Sequence, residues 1–238
     1  MARLLSETDV RALVDMPLAI EAVTTAFRSL GAGTGRNIPR ERLFPQNEAG
    51  VSTSLQVMSA TVPELDAMGL KAYGTGPAGA SFVVLLFRAS TGELRGVVGA
   101  DWLGRFRTGA ATGVATKVLA RPDSRSLAVL GAGGQAVTQT LAVLTSMPGI
   151  RDVRVWNRSP ERAASFRRRL EEVGGPTAGA VAVVLADHPR HAVAGADIAV
   201  AITSIRLSTP SRPTPCAPRI ASVAGSTRSL RCIPCEPG

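Results

Sequence analysis

The chain has 238 residues, of which 45% are hydrophobic, 19% charged and 4% aromatic, with mean hydropathy +0.16; this composition supports a buried core and excludes disordered or collagen-like classes. The formal charge of +9 comes from 27 basic and 18 acidic side chains, the arginines lie among acids without forming a basic stripe, and aromatics are scarce, which argues against nucleic-acid binding. No apolar run approaches the roughly 20 residues of a transmembrane helix, so no membrane partner is expected.

Taken in chain order, Ser6 with Asp9 three residues on reads as a helix N-cap, and Pro17 suits the first turn of a second helix. Leu18, Ala22, Ala26 and Leu30 keep helical spacing until Gly31 and Gly33. With acids at Glu7, Asp9, Asp15 and Glu21, this opening is unlike a signal or transit peptide. From Ile38 to Ala100 the texture becomes β-like, with strands predicted over 51–58, 70–74, 81–87 and 94–98 and a hairpin turn at Ser90-Thr91-Gly92-Glu93. Residues 1–106 therefore read as a small α+β domain and the Ala-rich stretch 107–120 as a linking helix, stopped by Arg121-Pro122-Asp123. Beyond Ser126, strands over 127–130, 153–156, 181–185 and 198–202 alternate with helices over 135–144, 161–173 and near His191. That rhythm predicts an α/β, Rossmann-like, doubly wound parallel sheet over 121–203.

From Ser204 the texture breaks. Residues 204–238 hold six of the 16 prolines, all three cysteines (Cys216, Cys232, Cys235) and no acid before Glu236. We read this tail as a degenerate or frame-shifted end that keeps a strand-like remnant over 219–226; loss of the last strands would leave 198–202 as an apolar edge. A body without cysteine suits a reducing compartment, so a cytoplasmic location is expected. Cys232-x-x-Cys235 has redox or metal spacing but no second pair, and reads as accidental. His188 and His191, the only histidines, flank Pro189 without a carboxylate cluster and read as surface residues; a Ser-His-Asp hydrolase in the first domain is thereby excluded.

The strongest local motif is Gly131-Ala132-Gly133-Gly134-Gln135-Ala136, placed between an apolar strand and a helix as the dinucleotide fingerprint G-x-G-x-x-A requires. Gly131 allows the tight turn, Gly133 lets a pyrophosphate approach the backbone, and Ala136 keeps helix and strand close; Gly134 and Gln135 open the helix whose amides face the ligand. After the second strand, where an NAD enzyme places an acid for the ribose, the chain has Asn157-Arg158-Ser159. A guanidinium pairs with a 2′-phosphate and its neighbours offer hydrogen bonds, so NADP(H) is expected in preference to NAD(H).

Pro39-Arg40, Gly69-Leu70-Lys71, Arg107-Thr108-Gly109-Ala110-Ala111, Leu119-Ala120-Arg121 and the fingerprint together resemble the ornithine cyclodeaminase/mu-crystallin family, in order and at similar spacing, from Leu4 to Thr203. The stretch Val155-Trp156-Asn157-Arg158-Ser159 is similar to the NADPH-using members. The resemblance implies a substrate-binding, dimerising domain joined to a dinucleotide domain, a homodimer, and a small imino or amino acid as substrate. It implies that Arg40 and Arg107 clamp the substrate carboxylate, that Lys71 completes the pocket and assists proton transfer as the catalytic residue, and that Thr108 and Thr203 lie beside the cofactor. Arg42 leaves open whether it or Arg40 simply faces solvent. Two departures stand out: Thr227 occupies the position of the family's catalytic aspartate, and Met58-Ser59-Ala60 replaces the usual Met-Pro-Ala. The expected activity is an imine reductase or amino-acid dehydrogenase; a silent NADPH-binding protein and an ornithine cyclodeaminase are the alternatives.

Overall fold

The computed structural model describes residues 1–45 and 53–202 and the backbone of Arg219–Ala221. Thr203, Thr227 and the three cysteines lie outside the described residues.

A short strand β1 (Arg3–Leu5) leads into α1 (Glu7–Leu13), and Ser6 caps it as expected: its hydroxyl accepts from the Asp9 N–H while the Asp9 carboxylate accepts from the Ser6 N–H at 2.8 Å. Asp15 caps α2 (Met16–Ala32), Pro17 fills its first turn, and Gly33 closes it at φ 77°. The strands β2 (Arg36–Leu43), β3 (Ser54–Val62), β4 (Ala67–Gly76), β5 (Gly79–Arg88) and β6 (Leu94–Gly99) then form an antiparallel meander. β1 returns parallel to β6, giving the order β1-β6-β5-β4-β3-β2. Neither β1 nor β2 is legible in the sequence. β2 is an edge strand exposed along its whole length, carries Pro39 and is bulged between Ile38 and Glu41, all devices that suit an edge.

The linking helix α3 runs over Asp101–Leu119 and so begins six residues earlier than expected. Ala100, its N-cap, has no capping side chain; instead the Glu7 carboxylate accepts from the Asp101 N–H at 2.6 Å and the Trp102 N–H at 3.1 Å. A cap supplied from 94 residues away leaves no trace in a local window. α3 lies tightly on α4 (Gly134–Ser146), because a Cβ at Gly109 would stand 2.4 Å from the Thr138 carbonyl oxygen and one at Gly113 2.8 Å from that of Ala142. Between them the Thr112 hydroxyl donates to Gln139 Oε1 at 3.1 Å, a fully buried pair.

The second sheet is wholly parallel, in the order β11-β10-β7-β8-β9, with β7 (Ser126–Leu130), β8 (Asp152–Trp156), β9 (Ala182–Leu185), β10 (Ile198–Ala201) and β11 (Arg219–Ala221). The helix expected over 161–173 is two pieces, α5 (Pro160–Ala164) and α6 (Phe166–Gly179), the latter kinked at Gly175 before Pro176. Alternation along the strands decides the two faces. Leu127, Val129, Val153 and Val155 meet Leu141, Phe166 and Leu170 on one side, while Ala128 and Ala199 pack with Ala196 beside α7 (Pro189–Val193) on the other. Helices on both faces make this the doubly wound, Rossmann-like sheet predicted. β10 is not the bare edge foreseen from the tail's composition, since β11 pairs with it in parallel register. No helix among the described residues is long and apolar enough to cross a membrane.

Candidate functional site

Residues far apart in sequence converge on the first sheet beside α3. Lys71 lies on β4 in register with Met58 and Val84, and a cavity of about 340 Å³ is lined by Lys71 and Arg107 with Met58, Leu70, Val84 and Leu86. Tyr73, two residues on and so on the same face, stacks on Phe82 with centroids 5.0 Å apart. The Lys71 ammonium stands 4.7 Å from the Phe82 ring and 5.3 Å from that of Tyr73, and the Arg40 guanidinium reaches the Tyr73 ring at 5.6 Å. The aromatic pair is thus a floor over which two cations are held. Tyr73 is fixed by donating its hydroxyl to Gln56 Oε1, the same oxygen that accepts from Arg42 Nε at 3.3 Å. Arg42 thus bonds to Gln56 on the register row that carries Tyr73, while the Arg40 guanidinium faces the Tyr73 ring.

The structure therefore brings Arg40, Lys71 and Arg107 together. None of the three forms an ion pair among the described residues. Burial, followed by the charges of Arg107 and Arg40, lowers Lys71 from its usual 10.5 to about 8, with Asp101 opposing. The same crowding, desolvation first and Arg40 second, lowers the Arg107 guanidinium. Room for the ammonium comes from Gly104 on α3, where a Cβ would lie 3.0 Å from Lys71 Nζ. Tyr73, Phe82, Gln56, Asp101 and Gly104 escape the sequence reading; a lone tyrosine at strand spacing from one of two lysines was the available signal.

Beside the same end of α3, where Arg105 Nη1 stands 3.8 Å from the position of a Cβ on Gly134, the fingerprint has its expected form. Gly131 sits at φ 116° and donates its N–H to the Trp156 carbonyl at 2.7 Å, a turn only glycine makes without strain. Gly133 caps α4, nothing lies within 4 Å of the Cβ it lacks, and Gln135 Oε1 is buried without a partner. Ala136 is completely buried under the strand. An open cradle at a helix N-terminus, with no acid in the first turn of α4, fits a dinucleotide pyrophosphate. Arg169 Nη2 grips the loop from behind by donating to the Ala132 carbonyl at 2.8 Å, a contact the sequence does not announce. Thr108 lies on α3 with its hydroxyl donated to the Gly104 carbonyl at 2.8 Å, leaving its lone pairs free.

After β8 the polar residues divide their roles. Asn157 is spent inside the protein: Oδ1 accepts from the Ala132 N–H at 3.1 Å and Nδ2 donates to the Ser159 carbonyl at 3.1 Å. Ser159 caps α5 and donates its hydroxyl to Glu161 at 2.6 Å. Both therefore already have partners within the protein. Arg158 alone is exposed with no hydrogen bond or ion pair among the described residues. His188 and His191 are on the surface, but His191 Nδ1 meets the Asp187 carboxylate at 2.6 Å, so a carboxylate does stand beside them.

Residues 2–211 match the ornithine cyclodeaminase/mu-crystallin family. A Delta(1)-pyrroline-2-carboxylate reductase of Bacillus cereus is 31% identical over 213 residues, 87% of this chain and 62% of that protein. Among solved structures, the iminosuccinate reductase of Paracoccus denitrificans in complex with NAD+ aligns at TM-score 0.75 and 26% identity, over 85% of this chain and 62% of that one. The Thermococcus litoralis Delta(1)-pyrroline-2-carboxylate reductase in complex with NADH and L-proline aligns at 0.72 and 27%, over 83% and 61%. The chain thus spans about three-fifths of the length of these relatives. With two sheets joined by one helix, and a dinucleotide fingerprint and a cationic cleft both set beside its N-terminal half, the chain belongs to the ornithine cyclodeaminase/mu-crystallin family.

Proposed function

We propose that the protein is an NAD(P)H-dependent oxidoreductase that reduces a small cyclic imino acid, or interconverts a 2-oxo acid and its amino acid. The observation that carries this reading is the convergence of Arg40, Lys71 and Arg107 without a carboxylate partner, beside the half of α3 that also flanks the dinucleotide cradle. Three uncompensated cations in a partly desolvated cleft call for an anionic ligand. The relatives named as pyrroline-2-carboxylate and iminosuccinate reductases act on such carboxylates. Arg40 and Arg107 would hold the carboxylate by charge-assisted hydrogen bonds, and Lys71, able to exist in either protonation state near neutrality, would deliver a proton toward the imine nitrogen. When bound, the nicotinamide ring supplies the hydride.

For the cofactor, Arg158 supports NADP(H): it is a free guanidinium at the end of β8, where no acid waits for a ribose 2′-hydroxyl. The solved relatives hold NAD+ and NADH, so the comparison of NADPH with NADH affinity is the informative one. We also propose a homodimer formed by the first sheet. Within its strands only Ser54 and Gly96 are buried, and a hollow of about 850 Å³ lined by Ile38, Met68, Leu70 and Phe87 lies open on one face; a sheet is stable when such a face is covered.

Titration with NADPH, followed by nicotinamide fluorescence, tests the reading, together with turnover of pyrroline-2-carboxylate, piperideine-2-carboxylate, pyruvate with ammonia, and ornithine. Reduction of one imino acid, lost in Lys71→Ala and Arg107→Ala, is expected. NADPH binding with no turnover of any of the four would make the protein a silent binder, and no binding of either dinucleotide at millimolar concentration would overturn the proposal.

A further inference from the structure

We propose that Arg105 is a cofactor-phosphate ligand held in waiting by Asp101, an inference that rests on the dinucleotide reading above. Arg105 lies on α3 one helical turn after Asp101, and the two are joined twice: Nε donates to Oδ1 at 3.2 Å and Nη2 donates to Oδ2 at 2.7 Å. The remaining nitrogen, Nη1, points the other way and stands 3.8 Å from the position of a Cβ on Gly134, the first residue of α4. The pair orients the fork, leaving one donor edge directed at the N-terminus of α4.

That placement is electrostatically unfavourable as it stands. The N-terminus of a 13-residue helix carries partial positive charge, and a guanidinium beside it is repelled. Neither the first turn of α4 nor any carboxylate other than Asp101 offsets it among the described residues. An anion seated between the helix amides and the guanidinium removes the conflict, because both poles then face it. The open backbone at Gly133 leaves the space such a group requires. The pair's own contribution to stability does not account for its position: both side chains are over a third exposed, and exposed pairs at this spacing stabilise little. Arg105 also shares its anchor with the substrate side, since Asp101 lies in the field of Lys71. A guanidinium that turns to phosphate leaves the Asp101 carboxylate to the Lys71 ammonium, so the first turn of α3 serves both ligands.

The experiment is a fluorescence titration of the full chain with NADPH and NADH at low and at moderate salt, using Arg105→Gln, Asp101→Asn and, as a charge control on an exposed arginine of α6 paired with Glu171, Arg167→Gln. Arg105→Gln should bind both dinucleotides on the order of tenfold more weakly, with a shallower loss of affinity on adding salt, and its thermal melting should stay close to wild type. Asp101→Asn should bind as tightly as wild type or more tightly, because the competing carboxylate is gone. Arg167→Gln should be unchanged in both respects. Equal weakening in Arg105→Gln and Asp101→Asn, or in Arg105→Gln and Arg167→Gln, overturns the proposal, the first by making the pair a structural staple and the second by reducing it to net charge. Unaltered affinity in Arg105→Gln overturns it outright while leaving the cofactor reading intact, whereas absence of binding in the wild type removes that reading itself.

Discussion

Lys71 shows how a single residue acquires its chemistry from neighbours that the chain supplies elsewhere. In the unfolded chain it titrates near 10.5, and in the cleft it falls to about 8 because burial and then Arg107 and Arg40 disfavour the ammonium. Since the folded pKa is the lower, the unfolded state binds more protons between about pH 8 and 10.5, and stability contributed by this group rises with pH across that window. Ligand binding runs the opposite way: a substrate carboxylate favours the charged form, so the dissociation constant of an unreactive cyclic carboxylate analogue should climb as pH passes above about 8. Measured from pH 6 to 10 by calorimetry at saturating NADPH, that climb should be present in the wild type and absent in Lys71→Gln, which binds the analogue weakly throughout. An identical alkaline rise in both proteins would remove Lys71 from carboxylate binding. The lysine and its strand were legible in the sequence; its aromatic floor was not, because Tyr73 and Phe82 become neighbours only through the pairing of β4 with β5.

Among the elements, α3 is the one whose glycines look misplaced until its partner is in view. Gly109 and Gly113 cost helix propensity, yet each lets the backbone of α4 approach where a methyl group would collide with a carbonyl. Gly109→Ala should therefore destabilise by about 1–3 kcal/mol through overpacking, despite alanine's better propensity. Gly31→Ala, in α2 with nothing within 4 Å, should stabilise by about 0.5–1 kcal/mol. Urea denaturation at neutral pH compares the two, and equal effects would show that the helix crossing is looser than drawn. A second long-range tie fixes the starts of β7 and β10: Asp197 accepts from the N–H groups of Arg125 at 2.9 Å and Ser126 at 3.0 Å and from the Ser126 hydroxyl. The Arg125 N–H foremost, then the Ser126 groups and Arg121, holds its carboxyl below the usual 3.8 despite some burial. A lowered folded pKa stabilises above the unfolded value and is lost as pH falls through the folded one, so Asp197→Asn should lose about 1–3 kcal/mol at pH 7 and progressively less below about pH 4.

For the whole molecule, the two sheets differ in how completely one chain covers them. The second sheet buries Leu127, Val129, Val153 and Val155 fully, whereas the first leaves Ile38 57% exposed, Leu55 44% and Leu43 65%. Sedimentation velocity should find a species of twice the 24.6 kDa chain mass. Ile38→Asp should shift it toward monomer by about 1.5–3 kcal/mol, one to two orders of magnitude in dissociation constant. A wild-type monomer at micromolar concentration would mean that the open face has another use.

The sequence by itself determined the parts that obey local rules: the capped opening helices, the α/β rhythm, and the glycine turn whose φ of 116° admits little else. It named the three cations as candidates as well. Only the tertiary structure decided which of those cations meet, that Asn157 and Ser159 are occupied internally, that Glu7 starts α3, and that Asp101 joins Arg105 within reach of both ligands. Local readings fail there for one physical reason. Hydrogen bonds, charge fields and close backbone approaches depend on distance in space, and contacts such as Asn157 to Ala132 and Glu7 to Trp102 span 25 and 95 positions of the chain.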